Sequence, residues 1–126
     1  MDSAQCALSA AQAIIDGDRA AFSLARPPGH HAGRDYCGGF CYLNNTAIAA
    51  RWLANHYRVA VLDIDFHAGH GTQDIFYDSP EILTLSIHGD PSEYYPWYMG
   101  YAEETGSGAG KGFHRNIPLP AGTNDR

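Results

Sequence analysis

V-A-V-L-D-I-D-F-H-A-G-H-G, residues 59–71, is the stretch on which the reading of this chain turns. It opens as an apolar, β-branched run and closes on two carboxylates, a histidine and a glycine turn. Side chains alternate faces along a strand, so Asp63, Asp65 and His67 project the same way for as long as the strand lasts, their Cα atoms stepping by roughly 6–7 Å. A break in the strand at Gly69 and Gly71 would then draw those side chains together. Val59 and Val61 share their face; Ala60, Leu62, Ile64 and Phe66 line the other. Both faces are apolar up to Leu62, as expected of a parallel strand covered by helices on two sides. Charged groups at the C-terminal end of such a strand stand where open α/β sheets bind ligands. The plainer alternative for the stretch is one buried aspartate followed by two solvated turn residues.

Composition sets the outer limits. The 126 residues suffice for a single domain that buries about two-thirds of its unfolded surface. With 44% hydrophobic and 17% charged residues the chain reads as globular. Its net charge of −6 argues against a nucleic-acid partner and permits cationic ligands. Cys6, Cys37 and Cys41 form an odd set without a second Cys/His pair at zinc-finger spacing, so they are expected to be reduced thiols of a cytoplasmic protein. No signal-peptide pattern and no apolar run of membrane-spanning length is visible, so no membrane partner is expected.

Outward from residues 59–71, the pattern alternates strands and helices. Ser3–Ile15 carries Ala7, Ala10, Ala11 and Ile14 at helical spacing, with Asp16 and Gly17 as a stop. Ala20–Ala25 reads as a short strand leading into R-P-P-G-H-H (26–31), where two prolines and a glycine forbid regular structure. Asn44 or Asn45 caps a helix running to about Asn55. Gly71–Tyr77 is expected to be a short helix and Ile82–His88 a further strand. This order implies parallel strands joined by right-handed crossovers. Gly89–Gly112 is an aromatic loop with Tyr94, Tyr95, Trp97, Tyr98 and Tyr101, read equally as a site wall or a self-association patch. Ile117–Pro120 leaves room for only a stub of strand. Asp90, Glu93, Glu103 and Glu104 read as solvated surface, with attraction of a polyamine cation as the second reading.

The donor types suggest hydrolysis. Asp65 and His67 offer one oxygen and one nitrogen, a set suited to zinc or another borderline divalent ion, and Asp63 suits a supporting role or a hard cation. His30 and His31 could supply the general base and general acid that amide hydrolysis requires.

Four segments, R-P-P-G-H-H-A (26–32), G-G-F-C-Y-L-N-N-T-A-I-A-A (38–50), D-I-D-F-H-A-G-H-G-T-Q-D-I-F-Y (63–77) and L-S-I-H-G-D-P (85–91), resemble the zinc-dependent histone deacetylase superfamily. Residues 88–112 look closest to its bacterial acetylpolyamine amidohydrolase branch. The resemblance spans roughly residues 20–123. It implies a truncated arginase/deacetylase-like α/β fold, a three-layer α/β/α arrangement on a parallel sheet, with residues 1–126 as a single partial domain. It further implies Asp65 and His67 as two of three zinc ligands and His30 and His31 as tandem catalytic histidines. Asp63 and Ser86 match a structural K+ or Na+ site, assisted by backbone carbonyls of Asp65, His67 and Ile87. Gly39, Phe40 and Tyr95 match the acyl-lysine tunnel. The implied substrate is an acetylated polyamine or an acetyl-lysine-like small molecule.

There are departures. Ala68 stands where the family usually has a second histidine, and His70 where it has asparagine or aspartate. No match is found for the third metal-binding aspartate or the oxyanion-stabilising tyrosine. Two functions therefore follow from the sequence: a metal-dependent hydrolase of N-acetyl amides, impaired by truncation, or a non-catalytic module for ligand binding or self-assembly. His70, His88 and His114 are local candidates for the missing ligand, and a second copy, in an expected homo-oligomer, is another source. An arginase-like two-manganese site is set aside, because it needs an aspartate where Gly69 stands.

Overall fold

A computed structural model describes residues 2–125. Helix α1 (Asp2–Ile15) ends before Gly17, whose φ of 110° only glycine adopts readily. Helix α2 (Asn45–Leu53) begins after Asn44, whose side chain accepts from the Ala47 N–H at 3.0 Å and so satisfies a free backbone donor. Strand β1 (Val59–Asp63), helix α3 (His70–Phe76), strand β2 (Ile82–Gly89) and strand β3 (His114–Leu119) follow, with a single 3-10 turn at Gly108–Gly110. The three strands form one parallel sheet in the order β1-β2-β3.

Register fixes which side chains share a face. Val61 lies opposite Thr84, and Thr84 opposite His114; Asp63 lies opposite Ser86, and Ser86 opposite Asn116. This is the covered face, where Val61 and Ile82 pack with Ala47 and Ala50 of α2 and Phe76 of α3. Small residues on the helices allow the close approach, and α1 packs on α2 through Ala4, Ala7 and Ala11. The opposite face departs from the expectation of two covered sides. Leu62 is 60% exposed, and Ile64 just beyond it 76%. Among the described residues, helices cover one face only.

Two expected strands change. Residues 20–25 join no ladder, and Phe22 and Leu24 stand exposed. Open clefts of about 550 and 380 Å³ separate Ala21, Ser23 and Ala25 from β1, so the segment has no strand within bonding reach. The expected stub at Ile117–Pro120 is instead a six-residue strand. Its polar first half was illegible as strand because His114 and Asn116 are buried by finding partners, not by being apolar.

Candidate active site

The site begins where β1 stops. Asp63, its last residue, accepts the Asp65 N–H on Oδ1 at 3.0 Å, and Asp65 in turn accepts the His67 N–H at 2.8 Å. These two aspartate turns, not a continued strand, aim Asp65 and His67. The chain then enters α3 at Gly69. A Cβ there would lie 2.2 Å from Asp63 Oδ2, so any side chain at this position displaces the carboxylate, the arginase-like aspartate included.

The loop bearing His30 and His31 is tied down from below. The N–H groups of Gly71 and Thr72, in the first turn of α3, donate to the His30 carbonyl at 2.9 and 3.2 Å. Asn44 donates to the Ala32 carbonyl, and Arg34 bridges to the Ile75 carbonyl and the Asp78 carboxylate. His30 then donates from Nδ1 to Asp63 Oδ2 at 2.8 Å, an ion pair only 14% exposed on the Asp63 side.

The two tandem rings lie 3.9 Å apart between centroids, tilted by 37°. His30 Nε2 lies 3.7 Å from Asp65 Oδ1, and His67 Nδ1 lies 3.6 Å from the same oxygen. His31 meets the His67 ring edge-on at 6.0 Å. The structure therefore brings His30, His31, Asp63, Asp65 and His67 into one cluster. Their electrostatics diverge. Burial alone would lower the pKa of His30, but its hydrogen bond to Asp63 and the charges of Asp63 and Asp65 hold it above the usual value. Burial would raise that of Asp63, and the His30 hydrogen bond and charge keep it below the ordinary carboxylate value. His31 is pushed down to about 4, first by burial and then by the neighbouring imidazoles.

Asp65 and His67 stand close enough to share one zinc ion, but they are about half exposed, and among the described residues no third His, Cys, Asp or Glu completes a group around them. A catalytic zinc usually takes three protein ligands. The three histidines considered as substitutes are committed elsewhere. His70 bonds His31 and Tyr98, His88 bonds Ser86 and the Gly100 carbonyl, and His114 bonds Thr84 and Asn116. With both ring nitrogens engaged, none can turn to a metal. The described residues do not by themselves fit a catalytic zinc. Ser86 stands beside Asp63 on the same sheet face, but its hydroxyl is committed to His88 Nδ1 at 2.7 Å.

Gly39 and Tyr95 both border His31, and Phe40 follows Gly39 in the chain. A Cβ on Gly39, at φ 50°, would fall 2.0 Å from His31 Cδ2, so glycine lets the loop press against the histidine. Phe40, also in the left-handed region at φ 66°, is thrown outward and lies 88% exposed. Tyr95 stands edge-on to His31 at 5.0 Å and to His67 at 6.1 Å.

Two features escaped the sequence reading. Glu104 is not a solvated acid: its Oε2 accepts from Gln73, from the Gly100 and Tyr101 N–H groups and from Asn116, pinning the aromatic loop to α3 and β3. His70 is fully buried between His31 and Tyr98. Its spacing of three from His67 was visible; its partners, 39 and 28 residues away, were not. All three cysteines are free thiols, and among the described residues no helix is long and apolar enough to cross a membrane.

A parallel α/β sheet with tandem histidines, an aspartate behind one of them and an Asp/His pair beyond the strand end defines a deacetylase-like hydrolase fold. Comparison with known proteins agrees: the histone deacetylase domain family matches residues 1–126, and the chain belongs to that family. It is 56% identical over 124 residues to an acetylpolyamine amidohydrolase of Burkholderia pseudomallei and 54% identical over 123 residues to acetylpolyamine amidohydrolase 2 of Pseudomonas aeruginosa. These alignments cover 98% and 96% of this chain but 36% of each relative. A crystal structure of the Burkholderia pseudomallei acetylpolyamine aminohydrolase superposes with a TM-score of 0.93 at 56% identity, over 96% of this chain and 36% of that one. The chain thus spans little more than a third of the length of these relatives.

Proposed function

We propose that this chain carries the histidine and carboxylate half of a site that hydrolyses N-acetylated amines, with an acetylated polyamine or acetyl-lysine-like molecule as substrate. The observation that carries the reading is the close, tilted pair His30/His31, with Asp63 bonded behind His30 and Tyr95 edge-on to His31. In this reading His30 and His31 handle the protons of amide cleavage, and Gly39, Phe40 and Tyr95 flank the acyl chain. The aspartate behind His30 holds that ring in one orientation and favours its charged form. The similarity to proteins named acetylpolyamine amidohydrolases supports the substrate class.

Asp65 and His67 are proposed as two ligands of a zinc ion whose third donor comes from outside the described residues. Asp63 and Ser86 are proposed for a structural K+ or Na+ ion. A cytoplasmic location fits the three free thiols.

The second reading, a non-catalytic module that binds ligand or self-assembles, is favoured by one specific observation: Leu62, Ile64, Phe22 and Leu24 present an uncovered apolar surface. Such surface favours association with another copy. The decisive experiment pairs metal analysis of the purified chain with a deacetylation assay on acetylputrescine and acetyl-lysine peptides. Chelator-sensitive turnover lost in His31→Ala supports the hydrolase. Background turnover, with a dimer or larger species in light scattering, supports the module.

A further inference from the structure

His31 touches His70 through an imidazole-to-imidazole hydrogen bond, Nδ1 to Nδ1 at 3.1 Å. Such a bond fixes opposite roles on the two rings, because one nitrogen must carry the proton and the other must not. What decides the direction lies one step further out. The other nitrogen of His70, Nε2, meets the Tyr98 hydroxyl at 3.2 Å. A phenol donates more readily than it accepts, and an unprotonated imidazole nitrogen is a good acceptor. Tyr98 therefore donates to His70 Nε2, His70 carries its proton on Nδ1 and donates it to His31 Nδ1, and the proton of neutral His31 is left on Nε2.

We infer that Tyr98, acting through His70, sets the tautomer of His31, so that His31 offers an N–H donor to the cleft while His30 beside it, in its neutral form, offers a bare nitrogen. The contrast with His30 is built in. Asp63 is a carboxylate and can only accept, so His30 must hold its proton on Nδ1, and when neutral its lone pair sits on Nε2. Among the described residues His31 Nε2 has no partner and is not sealed from solvent, since the buried unpartnered side-chain atom found there is Asn45 Oδ1.

The surroundings favour the neutral chain. His70 is fully buried, stacked parallel on Tyr36 at 5.8 Å and edge-on to Tyr95 at 5.5 Å, with no carboxylate bonded to its ring. Tyr98 and His70 are positioning residues. The use of the His31 N–H toward an acetamide carbonyl rests on the hydrolase reading; the tautomer itself does not.

Nitrogen-15 labelling of histidine in the full chain, read by long-range proton–nitrogen correlation at pH 7, tests the inference without any assay of activity. The expected wild-type result is His31 protonated on Nε2 and His30 on Nδ1. Tyr98→Phe keeps the ring but removes the donor, and should raise the Nδ1-protonated share of His31 several-fold. His70→Asp, which can only accept, should move the His31 proton to Nδ1 outright. A wild-type His31 protonated on Nδ1, or a His31 spectrum unchanged in Tyr98→Phe, overturns the proposal. A chain that hydrolyses no acetyl amide yet shows these tautomers refutes the hydrolase reading and leaves the tautomer relay standing.

Discussion

Two sets of histidines occupy this small molecule, and they differ in what their ring nitrogens are left to do. His70, His88 and His114 have both nitrogens bonded within the fold and are buried. His67 is half exposed, and His30 and His31 each keep one nitrogen without a hydrogen bond. The residue type is the same; the unspent valence is not. A histidine with both nitrogens committed behaves as a polar core residue, while one with a nitrogen left over can take a ligand or a proton. Histidine in a motif therefore says little until its second nitrogen is accounted for.

Stability measurements should separate the two sets most sharply. His88→Ala and His114→Ala each remove a buried ring and orphan its partners, and each is expected to cost about 2–4 kcal/mol in urea unfolding. His67→Ala, at a half-exposed position, should stay within about 0.5 kcal/mol of the parent. Equal losses in all three variants would erase the distinction.

Glycines at the open cluster come next. Gly69→Ala drives a methyl into Asp63, and Gly39→Ala drives one into His31 at a positive φ. Each should cost about 1–3 kcal/mol, as overpacking does, and Gly69→Ala should also loosen the His30–Asp63 bond. An alanine variant at 69 with parental stability would show that Asp63 is free to move.

The pH profile sharpens the comparison further. His31, His70 and His114 have lowered pKa values, chiefly through burial, so the unfolded chain takes up their protons first. Stability they contribute is present above about pH 6.5 and drains away as the pH falls toward about 4, the folded value of His31. His30, whose pKa is raised against the opposing effect of burial, works the other way: its contribution is full below its unfolded value and is lost as pH rises through the folded one. The lowered pKa of Asp63 adds stability above its unfolded value that disappears only at strong acid. With three rings against one, unfolding free energy should decline between pH 7 and pH 4. Asp63→Asn should steepen that decline, since it removes the pair that favours a charged His30. A flat profile over that range would contradict the burial of the three rings.

The smallest effect concerns metal. With only Asp65 and His67 as donors, zinc should bind the isolated chain weakly in calorimetric titration and raise its melting temperature little. His67→Ala should abolish that binding and His88→Ala should leave it unchanged per folded molecule. Tight stoichiometric binding would mean that a third donor is recruited from a second copy.

Much of this was legible in the sequence. The β-branched run at Val59–Leu62, the asparagine cap at Asn44 and the parallel α/β order each follow from local chemistry that acts within a few residues. The histidine, aspartate and glycine motifs named the family for the same reason, because a motif is a local pattern. Tertiary structure alone decided the rest. Polar Thr84, His114 and Asn116 become core because partners distant in sequence satisfy them, and Ala20–Ala25 fails to become a strand because no neighbour lies within reach. Glu104 changes from surface acid to loop anchor once Gln73 and Asn116 arrive beside it. The direction in which His31 holds its proton is set by Tyr98 and His70, 67 and 39 positions along the chain. Burial and hydrogen-bond satisfaction are properties of neighbours, and in these places the neighbours are brought together by folding.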